Sequence, residues 1–305
     1  MMQAPHILML FLDGVGIGKK DSTCNPFFIA RMETLRSLLG GKMPHIRDSY
    51  RSSATLSLVP LNATLGVRGL PQSGTGQTSL LTGINASRMI GKHFGPYPYS
   101  SLRPIISERN IFRQLHLAGR SVFCANAFPR QFFEHLDSQK THTTAIAMAW
   151  LMAGFELNNH QALFDGHALS SDITNERWHA LGYPDLPTVT PREAGKRLAG
   201  FAGNYDFVFY EYFFTDHAGH SQSRKDAAEV LEKFDGLLEG VLEAFDQDSM
   251  LLIITSDHGN IEDLSTKSHT RNPVPLLALG TRHRELTMNT KNLTHITPAI
   301  LRMLQ

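Results

Sequence analysis

Ile7-Leu8-Met9-Leu10-Phe11-Leu12-Asp13-Gly14 is a run of apolar residues that stops at an acid and a glycine. A short apolar run bounded by a turn signal reads as a strand buried on both faces. Four more runs of this kind follow, at 122–126, 207–212, 251–255 and 274–279. Helical patterns lie between them: from Ser79 onward, then 111–118, 226–245 and 297–304. In the third, Val230, Leu231, Phe234, Leu237, Leu238, Val241, Leu242 and Phe245 recur at three- and four-residue spacing, the apolar face of an amphipathic helix. Strand and helix in alternation predict an α/β fold, a doubly wound, mostly parallel sheet with helices on both faces.

The chain has 305 residues, room for one large α/β domain carrying an insertion. Residues 128–190 stand apart. They hold no convincing buried parallel strand, but a small-residue helical stretch at 144–154 and a proline-rich exit at Pro184, Pro187 and Pro191. This segment reads as a small, mostly helical cap insertion over the site, leaving 1–127 and 191–305 as the core. Lys and Arg number 29 against 28 Asp and Glu, a formal net charge of +1. Neither a nucleic-acid surface nor a membrane-surface patch is expected from that balance. The run 7–12 is too short to span a bilayer and lacks a basic leader, so it is read as a strand and not a signal peptide. Two cysteines, Cys24 and Cys124, make no disulfide framework, and a cytoplasmic protein is expected. Nothing in the sequence speaks to oligomeric state.

The acids sit where chemistry collects. Asp13 follows the first strand, Asp216 comes four residues after Tyr212, and Asp257 two after Thr255. Functional groups in open α/β sheets gather beyond the carboxyl ends of strands, so the three acids converge on one edge. His220 follows Asp216 at i+4, His258 adjoins Asp257, and His269 lies in the next polar loop. Three carboxylates and three imidazoles, without thiolate, form a ligand set for two divalent cations, Mn²⁺ or Zn²⁺ before Ca²⁺ or an iron–sulfur cluster. Such pairs act on phosphate or sulfate esters. His217 reads as solvent-facing or as a neighbour of the ligands.

A second segment, Gly69-Leu70-Pro71-Gln72-Ser73-Gly74-Thr75-Gly76-Gln77-Thr78-Ser79, is a tight turn running into a helix. A hydroxyl there meets the helix N-terminus, which favours an alkoxide or a phosphate. Ser73, Thr75, Thr78 and Ser79 all qualify as nucleophile or as ordinary N-cap. Lys92 and His93, in the loop after this helix, and Arg271, just past His269, are candidate substrate contacts. His167 and Asp172 in the insertion read as turn and capping residues. Gly14-Val15-Gly16-Ile17-Gly18 has the wrong spacing for a dinucleotide turn, and Asp13 would set a negative charge against a pyrophosphate.

These motifs resemble the alkaline phosphatase superfamily, nearest to its branch of cofactor-independent phosphoglycerate mutase and phosphopentomutase. The resemblance rests on Asp13-Gly14, the Thr75–Gly83 turn, Asp216-x-x-Gly219-His220, Asp257-His258-Gly259-Asn260 and His269-Thr270-x-x-Pro273-Val274-Pro275. It implies an alkaline phosphatase-like core with a variable insertion over a two-metal site. One ion would be held by Asp216, His220 and His269, the other by Asp13, Asp257 and His258. It further implies that Thr75 ligates the second ion and attacks phosphorus, giving a phosphothreonine; Thr75 is preferred because its distance to Gly83 matches the mutase pattern. An alignment on the related nucleotide pyrophosphatases makes Ser73 the nucleophile instead. The implied activity is phosphatase or phosphomutase action on a small phosphomonoester. Sulfo- or phosphodiester hydrolysis on the same metals, or non-catalytic sensing of a phosphorylated ligand, are the alternatives. The large second domain of full-length phosphoglycerate mutases is not found.

Overall fold

The computed structural model describes residues 4–138 and 143–304. Seven strands form one sheet: β1 (His6–Leu12), β2 (Arg51–Ser52), β3 (Leu56–Leu61), β4 (Val122–Cys124), β5 (Phe207–Tyr212), β6 (Met250–Thr255) and β7 (Val274–Gly280), in the order β2-β3-β7-β6-β1-β5-β4. The helices used below are α1 (Ser73–Thr82), α2 (Ile111–Leu117), α3 (Ala145–Met152), α4 (Pro191–Ala202), α5 (Phe214–Ser221), α6 (Arg224–Glu243) and α7 (Ile296–Leu304). All five strands expected from the apolar runs are present.

The centre of the sheet is parallel: β1 lies between β5 and β6, and β4 extends the same direction. The other half departs from expectation. β7 runs antiparallel to β6 and to β3, and β2 antiparallel to β3, so the sheet is mixed. Strand β3 escapes the apolar-run criterion because its sequence, Leu-Ser-Leu-Val-Pro-Leu, is broken by Ser57 and Pro60. A proline lacks the ladder donor and marks an edge or strand end. Here Pro60 stands opposite Pro275, and the neighbouring β2 pairs only with residues 57 and 58.

Alternate residues of β1 enter different cores. Ile7, Met9 and Phe11 pack with α1, α2, α3 and α7 on one face. Leu8, Leu10 and Leu12 pack with α4 and α6 on the other. Both faces are thus covered, which is why the central strands read as unbroken apolar runs. In α6 the stripe positions Leu231, Phe234, Leu237, Leu238 and Val241 are buried, Val230 and Leu242 are half-buried, Phe245 lies just past the helix, and Ala227 extends the buried face.

The segment 128–190 divides in two. Helix α3, from Ala145 to Trp150, is buried in the main core between α1 and α2. The rest, with helices at Arg130–Asp137, His160–Phe164 and Glu176–Ala180, gathers a small core from Leu163, Ala168, Trp178 and Leu186 together with Ala127, which precedes the segment. Asp172 accepts from Ser170 Oγ and from the N–H groups of Asn175 and Arg177, a capping role, and His167 is exposed. Among the described residues, no helix is long and apolar enough to cross a membrane. Both cysteines are free thiols.

Candidate metal centre

The three acids arrive together because β6, β1 and β5 are adjacent and parallel. Asp13 leaves β1, Asp257 leaves β6, and Asp216 lies in the first turn of α5, directly after β5. The chain is pinned there by hydrogen bonds between the loops. Asp13 N–H donates to Tyr212 O (3.2 Å), Val15 N–H to Ser256 Oγ (2.9 Å) and Ile261 N–H to Gly14 O (3.0 Å).

Two groups of ligand atoms result, each within 4.8 Å: Asp13, Asp257 and His258; and Asp216, His258 and His269. The first is the trio expected for one ion. In the second, His258 stands where His220 was expected, yet His220 adjoins it. His220 Nε2 lies 3.3 Å from Asp216 Oδ2 and 3.2 Å from His269 Nε2. His258 links the halves: its Nε2 is 3.4 Å from Asp13 Oδ1 and 3.5 Å from Asp257 Oδ2, and its ring stacks on His269 at 3.8 Å between centroids.

The imidazoles are held in a ligating form. His269 Nδ1 bonds Pro71 O and His220 Nδ1 bonds Lys267 O, each at 2.8 Å. A carbonyl only accepts, so Nδ1 carries the proton and Nε2 turns its lone pair inward. Asp13 Oδ1 and Asp257 Oδ2 are buried and receive no hydrogen bond among the described residues. Buried acceptors without donors are costly, and facing lone pairs repel. Divalent cations relieve both, so the residues present fit the metal ions that the sequence suggests.

Burial of like charges moves the proton affinities. Asp13 is driven well above the usual carboxylate range, by burial first and then by Asp257 and Asp216. Burial, then Asp216, pushes Asp257 up to about 7. Burial alone would also raise Asp216, but the His220 hydrogen bond, the His258 charge and Asn260 outweigh it and hold this acid below the usual range. Burial depresses His258 and His269, whereas the Asp216 hydrogen bond raises His220.

Thr75 is not brought to this cluster. It is wholly buried; its hydroxyl donates to Gln72 O and accepts from Phe94 N–H, both at 3.2 Å. Of the candidate hydroxyls on α1, the one that reaches the cluster is that of Ser73, the first residue of the helix, 3.0 Å from His258 Nε2. Helix geometry explains the difference: residues two apart on one turn point some 200° away from each other. Thr78 and Ser79 bond the carbonyls of Gly74 and Thr75 inside the helix.

Other expected residues lie nearby without joining the ligands. His217 is exposed, its ring against Phe213 and Phe214. Lys92 Nζ stands over the rings of Phe94 (5.5 Å) and Tyr99 (5.3 Å). His93 Nδ1 pairs with Ser87 Oγ at 3.0 Å, and Arg271 Nε donates to Gly69 O at 3.0 Å.

The sequence reading missed the residues that brace the ligands. Glu262, 1% exposed, accepts from Gly16 N–H (2.9 Å), Asn260 N–H (2.7 Å), Asn272 Nδ2 (3.0 Å) and the Thr270 hydroxyl. It thereby ties together the loops carrying Asp13, Asp257–His258 and His269. The Gly-x-Gly-x-Gly signal belongs to this contact: a Cβ on Gly16 would collide with the Glu262 carboxylate, and one on Gly14 with Asp216. Asn260 Nδ2 donates to Asp216 Oδ1 at 2.6 Å, and Gln77 Nε2 to Asp13 Oδ2 at 3.3 Å. Glu211 on β5 is also buried, and burial followed by Asp257 pushes it up to about 8.

A buried bed of carboxylates and imidazoles at the carboxyl edge of an α/β sheet is the construction of a metalloenzyme. The profile of the Metalloenzyme superfamily matches residues 5–305, and the chain belongs to that family. Among curated relatives, the 2,3-bisphosphoglycerate-independent phosphoglycerate mutase of Pyrococcus abyssi is 35% identical over 85 residues, 28% of this chain and 20% of that protein. The chain thus matches about a fifth of that relative's length. Among solved structures, alkaline phosphatase from the Antarctic bacterium TAB5 superposes with a TM-score of 0.55 at 15% identity, covering 99% of each chain. Phosphoglycerate mutase of Leishmania mexicana gives 0.51 at 13% identity, covering 99% of this chain and 96% of the other. At these identities the two structures share the fold.

Proposed function

We propose that the protein transfers the phosphoryl group of a small phosphomonoester through Ser73, with two divalent cations, Mn²⁺ or Zn²⁺, held by Asp13, Asp216, His220, Asp257, His258 and His269. The observation that carries this reading is the Ser73 hydroxyl, at the N-terminus of α1 and 3.0 Å from His258 Nε2 at the junction of both ligand groups. Bound cations would lower the pKa of that hydroxyl and offset charge on the phosphoryl oxygens.

The chain's own contribution is positional. Glu262 and Asn260 hold the ligand loops, and the α1 N-terminus presents N–H groups and the positive end of its dipole to the phosphoryl oxygens. Ser73 Oγ forms a bond to phosphorus as the ester P–O bond breaks, and the alcohol leaves with a proton. The phosphoserine then passes its phosphoryl group to water, as a phosphatase, or to another hydroxyl of retained product, as a mutase. Positioning and charge carry most of such a transfer. The part of 128–190 outside the main core is proposed as the cap whose hold on the product selects between the two. The free thiols accord with a cytoplasmic setting.

The test is direct. Protein loaded with Mn²⁺ or Zn²⁺ is incubated with a panel of phosphomonoesters, quenched in acid, digested and mapped. Phosphate on the peptide at Ser73, with release of the alcohol, is expected. Label on Thr75, or metal-loaded protein that turns over no ester, would overturn the reading.

A further inference from the structure

Ser73 and Gln77 are the two polar side chains of α1 that reach away from the helix. The hydroxyls of Thr75, Thr78, Ser79 and Thr82 donate to carbonyls three or four residues back, those of Gln72, Gly74, Thr75 and Thr78. Ser73 and Gln77 are four apart and so share a face. Gly76, beside them, lets that face close on the ligands: a Cβ there would lie 3.0 Å from both Cβ and the carbonyl oxygen of Asp257. Ser73 meets His258 and Gln77 meets Asp13, so one helical turn spans two members of the same ligand trio. The helix has little freedom to turn. All ten of its residues are buried, and the Thr297 hydroxyl donates to Leu80 O at 2.6 Å.

Gln77 divides the two oxygens of Asp13. Its Nε2 donates to Oδ2 at 3.3 Å, while Oδ1 receives no hydrogen bond among the described residues and lies 3.4 Å from His258 Nε2. An ionised carboxylate only accepts, so the amide must turn its nitrogen to Asp13. The amide oxygen bears the cost. Gln77 is 2% exposed, and its Oε1 is buried without a partner among the described residues. A glutamine kept for packing alone would be better replaced by an apolar side chain of its length.

Resting on the two-ion reading of the site, we propose that Gln77 is a positioning residue. It occupies Asp13 Oδ2, leaves Oδ1 as the one oxygen offered to the ion of the Asp13, Asp257 and His258 trio, and ties that ligand to the helix that carries Ser73. Without the amide donor Asp13 can turn or offer both oxygens, and the ion is no longer registered against the Ser73 hydroxyl. Gln77 acts through Asp13 and not on the substrate.

Gln77→Met keeps the length of the side chain and removes the donor. Calorimetric titration of the chelated full chain with Mn²⁺ or Zn²⁺ should show one of two ions bound about ten- to a hundredfold more weakly and the other unchanged. The metal-free variant should melt close to the wild type, because one orphaned oxygen, Gln77 Oε1, is lost as another, Asp13 Oδ2, is created. At saturating Co²⁺, used as a probe of coordination, visible absorption should weaken, the direction expected when a ligand set gains an oxygen. Where an ester is turned over, kcat should fall while KM holds. Gln77→Ala separates packing from donation: it should melt lower yet show the same loss at one ion. Wild-type metal affinity in both variants, or an unchanged Co²⁺ spectrum, would overturn the proposal. These losses in a protein that binds two ions but labels no serine would sink phosphoryl transfer and leave the role of Gln77 standing. A wild-type chain that binds no ion would sink both.

Discussion

The hydroxyl of Ser73 stands 3.0 Å from Nε2 of His258, whereas the hydroxyl of Thr75, two residues on, faces Gln72 and Phe94 inside the protein. The two residues should therefore fail in different ways. Ser73→Ala should lower phosphoryl transfer about a thousandfold or more while metal content and melting temperature hold. Thr75→Val, which leaves Phe94 N–H without its acceptor, should cost about 1–2 kcal/mol in urea unfolding and still label at Ser73. A Thr75→Val protein of full stability that cannot be labelled would reverse the assignment.

Removing charge from the buried acids should divide stability from metal affinity. In Asp257→Asn the metal-free protein is expected to melt higher than the wild type, because a buried carboxylate facing Asp13 and Asp216 is relieved. Metal content after dialysis should fall at the same time, and chelation of the wild type should abolish transfer. Unchanged metal stoichiometry in the variant, measured by elemental analysis, would remove Asp257 from the ligand set.

The metal-free protein should weaken as pH rises through neutrality. Asp257 titrates near 7 and Glu211 near 8 in the fold, both above an ordinary carboxyl group. Between about pH 4 and those values the unfolded chain has released protons that the folded chain retains, so raising pH favours unfolding. Each group adds a slope of up to about 1.4 kcal/mol per pH unit in that window, and the contribution is fully present below about pH 4. Denaturant midpoints of chelated protein from about pH 6.5 to 8, above the range in which the depressed His258 and His269 act in the opposite sense, measure it. Saturating Mn²⁺ or Zn²⁺ should flatten or invert the trend, since cations favour the ionised acids. A chelated protein whose stability rises over that range would contradict this account.

Glu262→Ala should loosen the whole centre. Four donors from three loops lose their acceptor, at about 1–3 kcal/mol for each one left buried and unpaired. A loss of at least about 3 kcal/mol is expected in chemical denaturation, with weaker metal binding in the fraction that folds. Glu262→Gln, which keeps one carbonyl oxygen, should lie between the two. Wild-type metal affinity in Glu262→Ala would show that the ligand loops hold themselves.

Much of the centre was legible in the chain. Apolar runs that end in an acid identify strands buried on both faces, and because β6, β1 and β5 are parallel their carboxyl ends share an edge. Asp13, Asp216 and Asp257 could therefore be gathered from spacing alone. The antiparallel half of the sheet could not. Buried strands carry the same apolar run whichever way they point, and β3 hides behind Ser57 and Pro60. Helix α3 misled for a similar reason: a small apolar helix suits a lid and a core equally, and packing against α1 and α2 settled its place.

The sequence by itself determined the set of carboxylates and imidazoles and the parallel centre of the fold, because residue type and hydrophobic period are properties of the chain. Tertiary structure decided which hydroxyl of α1 meets those side chains and which glutamate braces them. Those outcomes depend on the rotation of α1 about its axis and on contacts between loops some 200 residues apart, and neither is written in local order.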